Sequence, residues 1–349
     1  MEDVCSTVTH GSGSSSRLWD IQEQFAALHC NDPAPRLPSP TSLSGLSLTL
    51  SRDPLSLMTG ILHALLGWLS LFQAGFLHRD ITIGNVMALL HPVKSKFTVD
   101  YALLGPEARK VLSELRETSA HIGYYDVEEQ AKRLETLLAQ LDVGAEARAF
   151  LVDSDLTTNW YEFPDALSYP RMGTAEFMSP PLLQSMEKER AYLHSPEDDL
   201  MSTAFVAQWA AVSHASGDHL AAVHLLRQDI REDRRFTAMD HLVQLTPEHP
   251  ESDYGRFLNH LGPVFDDWQK KLTRLRSDVT LAKQNVDAEK LRLIFFTTAY
   301  RGVADFMEVM LDHKDSLAGY TPVEGPRDHY WARVPISAVA AMQLVGYSE

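Results

Sequence analysis

Two cysteines in 349 residues, Cys5 and Cys30, exclude a disulfide framework, and both sit in a loose N-terminal stretch, so the chain is expected in a reducing compartment. Positive charge is also scarce. Lys and Arg number 31 against 47 Asp and Glu, a formal charge of -16, which argues against a nucleic-acid surface and favours basic protein partners or substrates. Before Asp80 there is no lysine at all, and only Arg17, Arg36, Arg52 and Arg79 are cationic. No basic-then-apolar leader opens the sequence, so the expected location is intracellular, cytoplasmic or nuclear. No internal repeat is evident, and the histidines lack ligand spacing and read as surface or satisfied core groups.

Charge is absent altogether from Pro54 to Leu77. About 20 apolar residues suffice to cross a bilayer. Thr59, Gly60, His63, Gly67, Ser70, Gln73 and Gly75 dilute the run, however, and a helix apolar on all sides also suits the centre of a large core. No membrane span is favoured. Asp53 as cap, Pro54 at the first helical position and Gly75 as the stop set the helix's limits.

Directly after this helix comes His78-Arg79-Asp80-Ile81-Thr82-Ile83-Gly84-Asn85. Further on, the short apolar strand Ala149-Phe150-Leu151-Val152 delivers Asp153-Ser154-Asp155. A third stretch, Met172-Gly173-Thr174-Ala175-Glu176-Phe177-Met178-Ser179-Pro180-Pro181, precedes His194-Ser195-Pro196-Glu197-Asp198-Asp199-Leu200. The last of these reads as a helix start, with Ser as cap, Pro inside and acids in the first turn.

In order and content, His78 to Asn85, Gly173 to Ser179 and His194 to Leu200 resemble the fungal-type protein kinases. The resemblance is clear from about Asp53 to Trp209 and loose beyond. It implies an α+β, protein-kinase-like fold, mainly the helical C-lobe, with ATP and Mg²⁺ as cofactors and phosphoryl transfer to a protein Ser or Thr hydroxyl. By the same resemblance Asp80 is the base that accepts the hydroxyl proton, with Arg79 and Asn85 beside it. Asn85 and Asp153 are the Mg²⁺ ligands, His78 and Asp199 support the loop, and Thr174 belongs to the activation segment. A carboxylate and a carboxamide suit a hard cation that prefers oxygen.

The departures are as specific as the match. A kinase N-lobe needs a Gly-rich loop and a strand lysine, and the cofactor-binding lysine has no counterpart here. His10-Gly11-Ser12-Gly13-Ser14-Ser15-Ser16 has no flanking strand pattern and reads as a flexible linker. The segment up to Thr49 is rich in Pro, Ser and Gly. Residues 1–49 are therefore expected to be a low-complexity head or vestigial N-lobe, truncated or disordered, and 50–349 a kinase-like C-lobe. Thr82 stands where most Ser/Thr kinases have Lys, Pro181 where a Glu closes the activation segment, and Asp155 where the metal loop has Gly.

Residues 93–148 form an insertion after the strand Val86–Leu90. Pro106-Glu107 opens one helix with Val111, Leu112, Leu115 and Ile122; Asp126-Val127-Glu128-Glu129 is a capping box for a second, with Ala131, Leu134, Leu138 and Leu141 on one face and Gly144 as the stop. This reads as an antiparallel helical hairpin that packs on the lobe as a spacer, with a docking surface as the alternative. Thr157, Thr158, Tyr161, Ser168, Tyr169 and Thr174 are hydroxyls whose phosphate could pair with Arg79. Beyond Trp209, helical spacing marks Asp218–Arg227, the stretch through Phe257, Leu258, Val264 and Trp268, and Leu291–Leu311. Asp266, Lys270, Lys271 and Arg274 are expected on a solvated face. The function readings are a Ser/Thr-directed protein kinase, a pseudokinase acting as a protein-binding module, and a small-molecule phosphotransferase, which shares the His-x-Asp-x-x-x-x-Asn layout.

Overall fold

The computed structural model describes residues 45–118, 122–153, 156–161, 173–188, 190, 192–214, 228, 252–283 and 287–321. Several expectations lie outside those residues: Cys5, Cys30, the Gly/Ser run 10–16, Ser154, Asp155, Ser168, Tyr169, Met172 and the helix expected at Asp218–Arg227.

The described part is mainly helical around a small antiparallel sheet. Its first helix, α1 (Pro54–Gln73), starts where Asp53 accepts a hydrogen bond from Ser56 N at 2.7 Å, and the chain turns out of it at Gly75. Long enough and apolar enough to cross a membrane, α1 nevertheless has 67% of its apolar stretch buried inside the fold. Leu57, Ile61, Leu65, Trp68, Leu69 and Phe72 are fully enclosed, as in a core helix. After β2 (Phe76–Leu77) come β3 (Val86–Lys94), α2 (Gly105–Thr118), α3 (Val127–Leu141), β4 (Glu146–Leu151), β5 (Thr158–Asn159), α4 (Pro180–Glu187) and α5 (Pro196–Val212). Three more helices follow: α6 (Asp253–Ala282), α7 (Ala288–Asp312) and α8 (Lys314–Ala318).

The sheet runs β1 (Gly45–Ser47), β3, β4, all antiparallel, with Gly45 opposite Leu89 and Val86 opposite Leu151. Residues 45–49, assigned to the head by composition, therefore include a paired strand, and Leu48 is fully buried in the core. β3 also continues past Leu90, and β4 begins three residues before Ala149, so both flanks of the insertion are longer strands than expected. Pairing is irregular between Ala88 and Val93, around Pro92, which has no N–H to give the ladder.

The insertion is less a self-packed hairpin than two helices laid on a third. α2 and α3 meet at their junction, where Arg116 holds Asp126 at 2.5 Å and Glu128 at 2.9 Å. Otherwise both pack against α7. Ile122 is not part of α2; it begins a separate 3-10 turn, Ile122–Tyr124. On α3 the enclosed stripe is Val127, Gln130, Ala131, Leu134 and Leu137, with Leu138 and Leu141 at its margin.

α7 is the common partner of α1, α2, α3, α5 and α6. Gly302 is what lets α5 approach, since a Cβ there would lie 2.3 Å from Leu200 Cδ1. Polar contacts add to this apolar packing. Arg133 of α3 reaches Asp305 at 2.6 Å and Glu308 at 2.6 and 2.8 Å, and Lys271 of α6 reaches Glu308 at 2.8 Å. Lys271 is thus part of an inter-helix network rather than the solvated face on which Asp266 and Lys270 pair.

Burial alone pushes the Glu308 carboxyl up, but the bonds from Arg133 and Lys271 outweigh it and hold Glu308 down at about 2. A carboxyl with a lowered folded-state pKa contributes stability that is present above its unfolded value and lost as pH falls through the folded one. Arg133→Ala should accordingly destabilise the chain by roughly 2 kcal/mol near neutral pH, the partial exposure of the network keeping it below the range for fully buried pairs. Urea unfolding of variant and parent checks this, and the difference should shrink as the pH is taken from about 5 toward 2.

Candidate functional site

The site is assembled where α1, the loop that follows it and the start of α5 meet. α1 delivers the chain through Gly75 into β2, and β2 pairs with β5, Phe76 opposite Asn159 and Leu77 opposite Thr158. Trp160 locks that pairing. Its backbone N–H bonds Gly75 O at 3.0 Å, its indole N–H bonds Phe72 O at 3.1 Å, and its ring stacks on Phe72 with centroids 4.6 Å apart. The loop from His78 to Asn85 thereby leaves a fixed platform.

Asp199, in the first turn of α5, reaches this loop from the other side. Its Oδ2 accepts from Trp68 Nε1 at 2.9 Å and from His78 N at 2.9 Å; its Oδ1 accepts from Arg79 N at 3.0 Å and His194 Nε2 at 3.0 Å. The carboxylate is 1% exposed. Burial by itself would raise its pKa, but the bond and charge of His194, with lesser help from His78 and Trp68, hold it below the ordinary aspartate range. An ionised buried carboxylate with four donors is the satisfied case, in which the penalty of removing charge from water is met by hydrogen bonds.

Bound in this way, Arg79 sits at φ 70°, a left-handed conformation uncommon for a residue with a side chain. The turn directs Asp80 toward the segment 173–179. Asp80 Oδ1 accepts from Thr174 N at 2.8 Å and from Thr174 Oγ1 at 2.9 Å. Gly173 makes the approach possible: its φ is +129°, and a Cβ would stand 2.9 Å from Arg79 O and 3.2 Å from Met178 Cε.

Asn85 closes the loop. Its N–H bonds Thr82 O at 3.0 Å, and its carboxamide Nδ2 donates to Asp80 O at 2.9 Å while standing 3.5 Å from Asp80 Oδ2. With Nδ2 so engaged, Oδ1 is the carboxamide's remaining ligand atom. Asn85 O in turn accepts from Val152 N at 2.9 Å, which ties the loop to the end of β4 one residue before Asp153. His78 Nε2 lies 3.1 Å from Val152 O; a carbonyl only accepts, so this nitrogen carries the hydrogen. Among the described residues, then, Asp80, Asn85 and Thr174 share direct bonds, and His78 and Arg79 share Asp199. Asp153 is joined to the loop through the backbone of Val152. It is exposed, at φ 60°, left-handed like Arg79.

A carboxamide oxygen at Asn85 and a carboxylate at Asp153 are donors of the kind that suit a hard divalent cation. No group of three or more His, Cys, Asp or Glu side chains among the described residues could hold a metal without such help. Arg79 Nη1 stands 3.4 Å from Thr158 Oγ1, which puts this hydroxyl of the segment within its reach.

Sequence reasoning named Asp199 and passed over its neighbours. Asp198 and Glu197 are as deeply buried, at 0% and 3% exposure. Asp198 Oδ2 accepts from Ser195 N at 2.8 Å, as an acid at the third helical position should. Its Oδ1 accepts from Tyr192 OH at 2.8 Å and from the Ser179 hydroxyl. The sign was in the sequence, since three successive acids after Ser-Pro exceed what one cap requires. His194 opened one of the matched stretches, but a histidine beside a helix cap carries no period or spacing that says what it holds.

Glu197 is pushed up to about 7, by burial first and by the charge of Asp198 second, against weaker pulls from Lys283 and Arg276. Burial likewise lowers the Lys283 ammonium despite Asp198 and Glu197 nearby. Both shifts run against what mutual attraction would give, so loss of water dominates at this corner. A carboxyl with a raised folded-state pKa binds its proton more tightly in the native chain, so stability falls as pH rises from the unfolded value through the folded one. Glu197→Gln should remove that fall: relative to the parent it should gain on the order of 2 kcal/mol between about pH 5 and 8. Denaturant midpoints across that range test it, and parallel curves for the two proteins contradict it.

Compared with known families, residues 41–211 match the one described as fungal protein kinase. Neither a curated protein nor a solved structure matches the chain.

Proposed function

Because the chain belongs, through residues 41–211, to the fungal protein kinase family, we propose that it transfers the γ-phosphate of ATP to a Ser or Thr hydroxyl of a protein. The observation that supports this most is the fixing of Asp80 by three neighbours with distinct tasks. Thr174 occupies Oδ1 with two bonds, Asn85 holds the backbone carbonyl, and Asp199 holds the two residues before it. Oδ2 is left as the acceptor for a proton, the donor recorded beside it among the described residues being Asn85 Nδ2 at 3.5 Å.

In this reading the incoming hydroxyl gives its proton to Asp80 Oδ2 as its oxygen forms the bond to phosphorus and the bond to the departing ADP breaks. Mg²⁺, when bound, would supply positive charge to neutralise the phosphate oxygens. Asn85 Oδ1 and Asp153 would hold it, one from the loop and one from the end of β4. The protein's share is positioning: little covalent chemistry is asked of it beyond presenting an oriented carboxylate. Asp80, Arg79 and Asn85 are accordingly the catalytic group, with His78 and Asp199 behind them.

A second reading is supported by a specific feature inside the loop: Thr82 stands where most Ser/Thr kinases have Lys, so the loop brings no ammonium to the phosphate. Without that contact the same domain would act as a protein-binding module with little or no transfer. The long apolar helix gives no support to a membrane role, since it is mostly enclosed.

Two measurements separate the readings. Saturating Mg-ATP should raise the melting temperature of the purified chain, because a ligand that binds the native state stabilises it. Asp80→Asn should keep that shift while losing phosphate transfer by about a thousandfold or more, as removal of a catalytic base does. Transfer retained in Asp80→Asn contradicts the assignment of the base; no thermal shift and no transfer in the parent chain favours the binding module.

A further inference from the structure

The sequence has Pro181 where a kinase activation segment closes with a glutamate that anchors it through an ion pair. Something else must hold that end. Ser179 caps α4, its Oγ accepting from Leu182 N at 3.4 Å, and its hydroxyl donates to Asp198 Oδ1 in a short bond. Tyr192 OH donates to the same oxygen at 2.8 Å, and Ser195 N and Oγ reach the other oxygen at 2.8 and 3.2 Å. Ser179 and Asp198 are both 0% exposed.

The neighbouring carboxylate is Asp199, which holds the catalytic loop. Two adjacent acids on one helical turn thus face different clients. Asp199 grips the loop that carries Asp80, while Asp198 grips the end of the segment that carries Thr174. Between Gly173 and Ser179 the chain is tied at both ends, by Thr174 to Asp80 and by Ser179 to Asp198, and Phe177 packs edge-on against Trp209 of α5 in the middle.

We propose that Ser179 and Asp198 form the anchor of the activation segment, a hydroxyl–carboxylate latch in place of the glutamate ion pair, and that they are positioning residues for the protein substrate. The inference rests on the phosphoryl-transfer reading for its functional half only. The latch is neutral in its donor, so it needs no arginine partner. It is also short-ranged, and losing one oxygen frees the segment. A bond from a hydroxyl to a buried carboxylate is strong enough that its loss should change local opening by about tenfold or more.

The test uses Ser179→Ala, Ser179→Thr and Asp198→Asn in the full chain. Amide exchange at Thr174 should quicken by about tenfold in Ser179→Ala, while His78 and Arg79, held by Asp199, keep their protection; Ser179→Thr, which restores the hydroxyl, should return Thr174 to the parent rate. Unchanged exchange at Thr174 in Ser179→Ala overturns the latch. So does unchanged exchange in Asp198→Asn should Ser179→Ala fail to fold. With a histone preparation as acceptor, Ser179→Ala should raise the KM for the protein by about tenfold and leave the KM for ATP unchanged. A fall in kcat alone, with both KM values constant, overturns the positioning role. If the parent chain transfers no phosphate, the kinase reading fails while the exchange result still decides the latch.

Discussion

A single buried carboxylate organises this molecule. Asp199 takes four hydrogen bonds from three separate places: the core helix through Trp68, the loop through His78 N and Arg79 N, and the approach to its own helix through His194. An unpaired charge at that depth would be intolerable, so the donors and the acceptor enforce one another. Because two of the donors are successive backbone N–H groups, the direction of the loop is fixed by electrostatics rather than by side-chain packing. The left-handed turn at Arg79 persists on that account, and it aims Asp80 at Thr174.

Around this point the architecture works as support. α1 brings the loop in, α5 brings the acids, and α7 lies against both, close enough at Gly302 that Leu200 occupies the place of a side chain. The insertion helices complete the shell on α7, where Arg133 of α3 and Lys271 of α6 meet at Glu308. The cost of the arrangement shows at Glu197. Three acids in a row at a buried helix start cannot all stay charged at neutral pH, and Glu197, lacking the donors its neighbours have, keeps its proton up to about 7.

Much of this was legible in the residues because the relevant forces are local. Asp53-Pro54 and the uncharged run after it announce α1, and Ser195-Pro196 with acids behind announces α5; both begin where caps place them. Asp126 marked the start of α3 for the same reason. The resemblance of residues 78–85 and 194–200 to a kinase loop and helix start is what put Asp80, Asn85 and Asp199 in one neighbourhood. Long-range choices were not legible. Nothing in composition tells that Gly45–Ser47 would leave the Pro/Ser-rich head to pair with β3, since strand pairing depends on what lies opposite. Lys271 looked like one more solvated cation until Glu308 met it from another helix. Ser179 and His194 read as motif letters, and only their partners show what they hold.

The account depends most on the charge of Asp199, and Asp199→Asn tests it with almost no change of shape. An amide offers one acceptor oxygen and turns two hydrogens toward groups that are themselves donors. Amide protection at His78 and Arg79, measured by hydrogen exchange, should fall by about a hundredfold or more in this variant, well beyond any loss in α7. Protection at those two amides equal to the parent's would show that packing, and not the carboxylate, holds the loop.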